Sequence, residues 1–154
     1  MIKDQEIAPC PSASSYPSLP LVSIIIVNFN YGRYLKKAFS SVEIQEYSNI
    51  ECIIVDNAST DDSASVLQEI EASSFNPKII RRKTNGGQTA ACFEGLDASR
   101  GEYVIFLDAD DYLLPGAVET HIFCHLSLRI PVGFTSGDIP VSYTHLTLPT
   151  ICSV

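Results

Sequence analysis

Residues Glu102 to Asp111 form an unbroken apolar run, Tyr103-Val104-Ile105-Phe106-Leu107, that ends abruptly in Asp108, Asp110 and Asp111. A run so rich in β-branched and aromatic residues predicts a strand buried on both faces. Asp108 and Asp110 lie two residues apart, so in extended chain they point to the same side, about 7 Å apart. Negative charge at the mouth of a buried strand is costly without a counter-charge. A divalent cation taking hard oxygen ligands would supply one; a carboxylate-rich turn or helix cap is the plainer alternative.

The same pattern recurs along the chain. Leu21 to Val27 is a second apolar run, ending in the polar turn Asn28-Phe29-Asn30-Tyr31-Gly32. Leu35, Ala38, Phe39 and Val42 then recur at helical spacing. Ile50 to Val55 is a third strand and ends at Asp56-Asn57. Ser59 or Thr60 is placed to cap the next helix, with Asp61 and Asp62 in its first turn and Val66, Leu67 and Ile70 on its apolar side. Lys78 to Arg81 is a short fourth strand. It leads into Asn85-Gly86-Gly87, a turn opening a helix through Thr89, Cys92, Phe93 and Leu96, with Gly101 as a candidate C-cap. After the central strand, Pro115 starts a helix reaching about Leu128, and Pro131 to Thr135 reads as one more strand. Alternation of strand and helix predicts an α/β fold, a mostly parallel sheet flanked by helices on both faces. In such sheets ligands bind beyond the carboxyl ends of the strands. Four strand ends there carry Asp or Asn: Asn28 to Asn30, Asp56-Asn57, Asn85 to Gly87, and Asp108 to Asp111.

Composition narrows the function. A net charge of -8 over 154 residues argues against nucleic-acid binding, since no basic surface is present to neutralise phosphates. A phosphorylated ligand would need a cation or main-chain donors. No apolar segment is long enough to span a bilayer, and the N-terminus lacks a basic-then-apolar signal pattern. Cys10, Cys52, Cys92, Cys124 and Cys152 are scattered and never form a Cys-x-x-Cys pair, which fits a reducing cytosol. Residues 1–20, with four prolines among serines, read as a flexible leader.

Other motifs carry competing readings. Asn85-Gly86-Gly87 before a helix suits phosphate, or turn geometry alone. It is neither Gly-x-Gly-x-x-Gly nor a P-loop. His121 and His125 are one turn apart, but they border the apolar stripe of Val118, Ile122 and Leu126 and lack the zincin glutamate. Phe29 suits stacking on a nucleobase or packing in the core. Arg81, Arg82 and Lys83 read as a solvated face or, less readily, as cations that meet phosphate.

Taken together, Val22 to Asn30, Ile53 to Asp61, Asn85 to Gly95 and Gly101 to Pro115 resemble glycosyltransferase family 2, the inverting enzymes of the GT-A fold. The likeness covers about Leu21 to Asp138. It implies a GT-A, Rossmann-like nucleotide-binding half, truncated, within residues 21–140. In that family an Asp-x-Asp motif holds Mg²⁺ or Mn²⁺ on the diphosphate of a nucleotide-sugar. Carried over, Asp110 is the principal metal ligand, and Asp108 contacts the ribose or the metal through water. Asp56-Asn57 reads the base, Phe29 stacks on it, Asn28 and Asn30 belong to the same subsite, and Asn85 to Gly87 line the nucleotide side. The resemblance implies transfer of a sugar, with inversion, to an acceptor hydroxyl of a saccharide, lipid-linked saccharide or protein. It also implies a cytoplasmic enzyme whose full-length form associates peripherally with membranes.

The chain departs from the family in four places. Many members carry a second Asp where this chain has Asn57. Ala58 replaces a usual Gly. The family's general base lies downstream of everything present here, so this chain is expected to bind donor without transferring sugar; Asp138 is the last acid in the sequence. Residues 141–154 break from the pattern and resemble translated sequencing-adapter read-through, so they are expected to be a non-native tail outside the fold. Two rival classes stay open: a nucleotide-binding module without transferase activity, and a hydrolase using Asp-x-Asp for phosphoryl transfer. The hydrolase is disfavoured, because in such enzymes the pair follows the first strand, whereas here it follows the fourth.

Overall fold

The computed structural model describes residues 19–127, 134–136 and 150–153. Its elements alternate: β1 (Val22–Asn28), α1 (Gly32–Glu43), β2 (Ile50–Asp56), α2 (Ser63–Glu71), β3 (Lys78–Arg81), α3 (Gln88–Asp97), β4 (Tyr103–Asp108), α4 (Ala117–Ser127), β5 (Phe134–Ser136) and β6 (Thr150–Ser153). The sheet order is β3-β2-β1-β4-β6-β5. The first four strands in that order are parallel. The expected α/β alternation and mostly parallel sheet are therefore present. Residues 1–18 of the leader, Pro131 to Gly133, Asp138 and the 140/141 boundary lie outside the described residues.

β1, β2 and β4 are mostly apolar because both of their faces are covered. Ile24, Ile26, Cys52, Ile54, Ile105 and Leu107 face one side, where Leu35, Phe39 and Val42 of α1, Leu67 and Ile70 of α2, and Val118 and Ile122 of α4 cover them. Ile25, Val27, Ile53, Val55 and Val104 face the other side, against Ala91 and Leu96 of α3. Full burial of one such isoleucine contributes about 2 kcal/mol. On each helix the contacts recur at the three- and four-residue spacing of one face. His121 and His125 border the α4 stripe, with the His125 ring tilted against that of Tyr103 at a centroid distance of 5.3 Å.

Four expectations need correction. The fold begins before residue 21: Leu19 packs on the core, and the Pro20 carbonyl accepts a bond from the Tyr47 hydroxyl at 2.6 Å. Neither Ser59 nor Thr60 caps α2. The helix starts later, at Ser63, and the Asp61 carboxylate instead accepts from the N–H groups of Ser63 and Gly32, both at 3.0 Å. Gly101 does not cap α3, which ends at Asp97 with Ala98 as its C-cap; Gly101 packs against β1. Finally, Thr150 to Ser153, within the tail expected to stand outside the fold, pairs antiparallel with β4 as β6, and β5 pairs with β6 in turn. The physical reason is that the free edge of β4 presents unpaired main-chain groups, and pairing to an edge is specified by backbone rather than by side chains.

The chain returns from β3 to β4 over the α3 face, having run from β1 to β3 under α1 and α2. The order therefore switches direction between β1 and β4, which in an open α/β sheet opens a crevice at the carboxyl ends of those two strands. No helix among the described residues is long and apolar enough to cross a membrane.

Candidate functional site

The register sets the carboxyl ends of the strands level with one another. Asn28 stands beside Asp56, and Val27 beside Asp108. The ladder runs on past each strand, with Asn57 N–H donating to the Asn28 carbonyl at 2.8 Å, Arg82 N–H to Asp56 at 2.9 Å and Ala109 N–H to Val27 at 3.2 Å. Beyond these ends lies a cavity of about 330 Å³ lined by Val27, Phe29, Tyr31, Asn57, Asn85, Gly87, Gln88, Asp108, Ala109 and Asp110.

The pleat decides which residues reach it. Val27 and Val55 point to the α3 side, so Asn57, in the same phase, does too. Ile26 and Ile54 point to the α1 and α2 side, so Asn28 and Asp56 turn away from the cavity. There Asn28 Nδ2 donates to Asp56 Oδ1 at 2.8 Å and to Ser63 Oγ at 2.9 Å, with Asn28 at 0% exposure. The expected pair Asp56-Asn57 is thus divided. Asn57 lines the cavity, whereas Asp56 and Asn28 brace the strand ends behind it. Asn30 sits at the edge, where its Oδ1 accepts from Thr60 N–H at 2.7 Å and fixes the loop after β2. Phe29 is 40% exposed over the cavity, so it is a surface ring and not a core residue.

That loop contains Ala58 at φ 64°, a left-handed conformation that glycine adopts freely and alanine does not. A glycine at this position, as the resemblance implies, would have a conformational reason, and alanine here carries the strain. Ala58→Gly is expected to raise stability by about 1 kcal/mol. Urea denaturation checks this; an unchanged or lower midpoint would show that the loop relaxes around alanine at no cost.

At β4 the expectation of extended chain fails after Asp108. The strand ends there and Ala109-Asp110 turns, with Asp111 N–H donating to the Asp108 carbonyl at 3.0 Å. The two carboxylates meet the same cavity by turn geometry instead of strand alternation. Burial raises the Asp108 carboxyl above its usual range. The neighbouring charges of Asp110 and Asp111 raise it further, against an opposing hydrogen bond from Gln88 Nε2 at 2.7 Å. A half-buried carboxylate crowded by two others is a donor set suited to a cation. Among the described residues no group of three or more His, Cys, Asp or Glu is placed to hold a metal. The two cavity carboxylates therefore fit a hard cation that takes most of its remaining oxygens from a ligand's phosphates and water, as Mg²⁺ usually does.

Gln88, Tyr31 and Arg82 went unnoticed in the sequence as contributors. Gln88 gave no signal beyond following the glycine turn. Arg82 belongs to a basic run that suits a solvated face or a phosphate contact, yet its side chain is only 17% exposed and pairs with Glu94 at 2.8 Å. Arg81 does lie on the surface, paired with Glu71.

Residues 23–123 match the model of glycosyl transferase family 2. An uncharacterised glycosyltransferase of Nostoc is 38% identical over 127 residues, covering 82% of this chain and 37% of that protein. The GalNAc(5)-diNAcBac-PP-undecaprenol beta-1,3-glucosyltransferase of Campylobacter jejuni is 36% identical, covering 66% of this chain and 33% of that protein. Among solved structures, the mannosyltransferase PcManGT of Pyrobaculum calidifontis, in complex with GDP-Man and Mn²⁺, superposes with a TM-score of 0.65 at 21% identity, over 70% of this chain and 32% of that one. Residues 1–349 of S. aureus TarS, in complex with UDP-GlcNAc, give 0.66 at 21% identity over 86% and 45%. The fold is thus the Rossmann-like GT-A arrangement. The chain spans well under half the length of the relatives it matches.

Proposed function

Because this chain belongs to glycosyl transferase family 2, we propose that it forms the donor-binding half of an enzyme that moves a sugar from a nucleoside diphosphate to an acceptor hydroxyl with inversion. The observation that carries the reading is the convergence on one cavity of an exposed aromatic ring, Phe29, with the carboxylates Asp108 and Asp110. An aromatic face suits a nucleobase, and paired carboxylates suit a cation on a diphosphate. GDP-Man and UDP-GlcNAc in the structural neighbours, and the lipid-linked saccharide in the name of the Campylobacter relative, support a nucleotide-sugar donor and an acceptor of saccharide or lipid-linked saccharide type.

Asp110 and Asp108 are the residues that would hold Mg²⁺ or Mn²⁺. When bound, such an ion supplies Lewis-acid stabilisation of the charge developing on the leaving diphosphate. The chain's own part is orientation. Gln88 holds Asp108 toward the cavity, Phe29 offers a stacking face, and Asn57 with Asn85 forms the wall between them. An acceptor hydroxyl attacking from the opposite face needs a base within hydrogen-bond reach. The cavity carboxylates are both committed to the donor side, so the base belongs to sequence downstream of this cavity.

Incubation with radiolabelled nucleotide-sugars, with and without acceptors, tests this. Metal-dependent donor binding is expected, with slow hydrolysis at most, because losing general-base assistance alone costs about 10²–10⁴-fold. Hydrolysis of a simple phosphate ester without nucleotide-sugar binding would overturn the reading in favour of a phosphatase.

A further inference from the structure

Arg82 lies one residue past β3 and extends beneath the Asn85 to Gly87 turn. A Cβ placed on Gly86 would fall 2.8 Å from both its Nη1 and its Nη2. Nη1 donates to Asn57 Oδ1 at 2.6 Å, while Nε pairs with Glu94 Oε2 of α3 at 2.8 Å. Asn57 Oδ1 accepts a second bond, from Gly86 N–H at 3.1 Å, which uses both of its lone pairs. Asn57 Nδ2 donates to Asn85 Oδ1 at 2.9 Å, and the same oxygen accepts from Gly87 N–H at 2.8 Å. Rotating the Asn57 amide by a half turn would set its NH₂ against two donors, the guanidinium and the Gly86 amide. Asn57 is 2% exposed, so water cannot relieve that clash.

We propose that Arg82 is a positioning residue for donor binding: anchored by Glu94, it locks the Asn57 amide in one orientation and thereby holds the Asn85 to Gly87 turn at a fixed distance from the end of β2. The proposal rests on the functional reading above. Its chemical consequence is specific. With its oxygen consumed, Asn57 keeps only one amide hydrogen unused, so any ligand atom that reaches it from the cavity is an acceptor, such as a base carbonyl or ring nitrogen. A carboxylate at this position would offer the opposite. Gly86 belongs to the same arrangement, because a side chain there would displace the guanidinium.

The test uses Arg82→Ala, Glu94→Gln as a milder variant on a half-exposed helix position, and Arg81→Ala as a control for loss of a neighbouring surface ion pair. In the ligand-free protein, the Asn57 and Asn85 side-chain amide signals are followed by ¹H–¹⁵N NMR. Titration with UDP and GDP in Mn²⁺ is followed by calorimetry. Arg82→Ala is expected to move both amide signals toward free-amide positions and to weaken nucleoside diphosphate binding at least tenfold. Glu94→Gln should give a smaller change of the same kind, and Arg81→Ala none. Unmoved amide signals in Arg82→Ala, or moved signals with unchanged affinity, would overturn the proposal. If Arg82→Ala fails to fold, Glu94→Gln decides on the same two readouts. If the wild type binds neither nucleotide, the functional reading fails separately, and the positioning role in donor binding falls with it.

Discussion

Asp110→Ala is expected to abolish Mg²⁺- or Mn²⁺-dependent binding of nucleoside diphosphates while leaving the fold intact. Asp110 is exposed, in the turn just after β4, so its removal takes away no core contact. Surface changes of that kind usually fall within about 0.5 kcal/mol. The charge of Asp110 is, after burial, the largest influence raising the Asp108 carboxyl, so its loss relieves repulsion inside the cavity. Thermal stability should hold or rise slightly. Binding should behave in the opposite way. With two cavity carboxylates placed to hold the cation, losing one removes half of the protein's ligands, a cost on the order of a few kcal/mol, or about 10²–10³-fold in affinity. Calorimetry with UDP or GDP, repeated in chelator, reads both effects. Equal affinity in chelator, or undiminished metal-dependent binding in Asp110→Ala, would count against the role assigned to this carboxylate.

Much of this was legible in the sequence because its causes are local. Apolar runs ending in Asp or Asn, separated by helical periodicity, fixed the positions of β1 to β4 and α1 to α3 to within a few residues. They also placed the cavity at the carboxyl ends of the strands. What stayed hidden was the phase of the pleat. A strand buried on one face alternates apolar with polar and so announces which residues point inward. Ile53-Ile54-Val55 and Ile24-Ile25-Ile26 are apolar on both faces, so nothing in them says that Asn57 meets the cavity while Asp56 and Asn28 turn from it. Arg82 was hidden for a related reason. Among Arg81, Arg82 and Lys83, only the tertiary placement of Glu94 and Gly86 tells the buried guanidinium from its exposed neighbours. The Thr and Leu alternation before β6 suits an edge strand, but Pro149 and the break in family likeness weigh against one, and a free strand edge accepts main chain with little regard to sequence.

Gly101→Ala is expected to be strongly damaging, and for a reason different from the one its place after a helix suggests. A C-capping glycine is needed for a positive φ, and its replacement costs roughly 1 kcal/mol. Among the described residues the glycines with positive φ are Gly87 and Gly116, and Gly101 is not one of them. Its constraint is space. A Cβ there would lie 2.5 Å from Ser23 Oγ, 2.6 Å from Ser23 N and 2.8 Å from the Tyr103 carbonyl oxygen. Two of those atoms are main chain of β1 and β4, the central pair of the sheet, and cannot swing aside as a side chain does. The same contact carries a buried hydrogen bond from Gly101 N–H to Ser23 Oγ at 2.8 Å, and Ser23 Oγ in turn donates to Glu51 Oε1 at 2.6 Å. Glu51 also accepts from the Arg100 main chain and guanidinium, so a shift of the Gly101 backbone disturbs that ion pair as well. Overpacking costs about 1–3 kcal/mol, and loss of a buried bond adds about 1–3 kcal/mol. The sum, about 2–6 kcal/mol, is a large share of the stability of a domain this size and corresponds to a fall of roughly 5–25 °C in Tm. Gly87→Ala, with positive φ but nothing within 4 Å of its Cβ, should lose only about 1 kcal/mol. Ser23→Ala should not rescue Gly101→Ala, because the clashes with Ser23 N and the Tyr103 carbonyl remain. Thermal melts of the three variants decide the matter: a fall of only a few degrees for Gly101→Ala, equal to that of Gly87→Ala, would mean that β1 and β4 separate without cost, contrary to the packing argument.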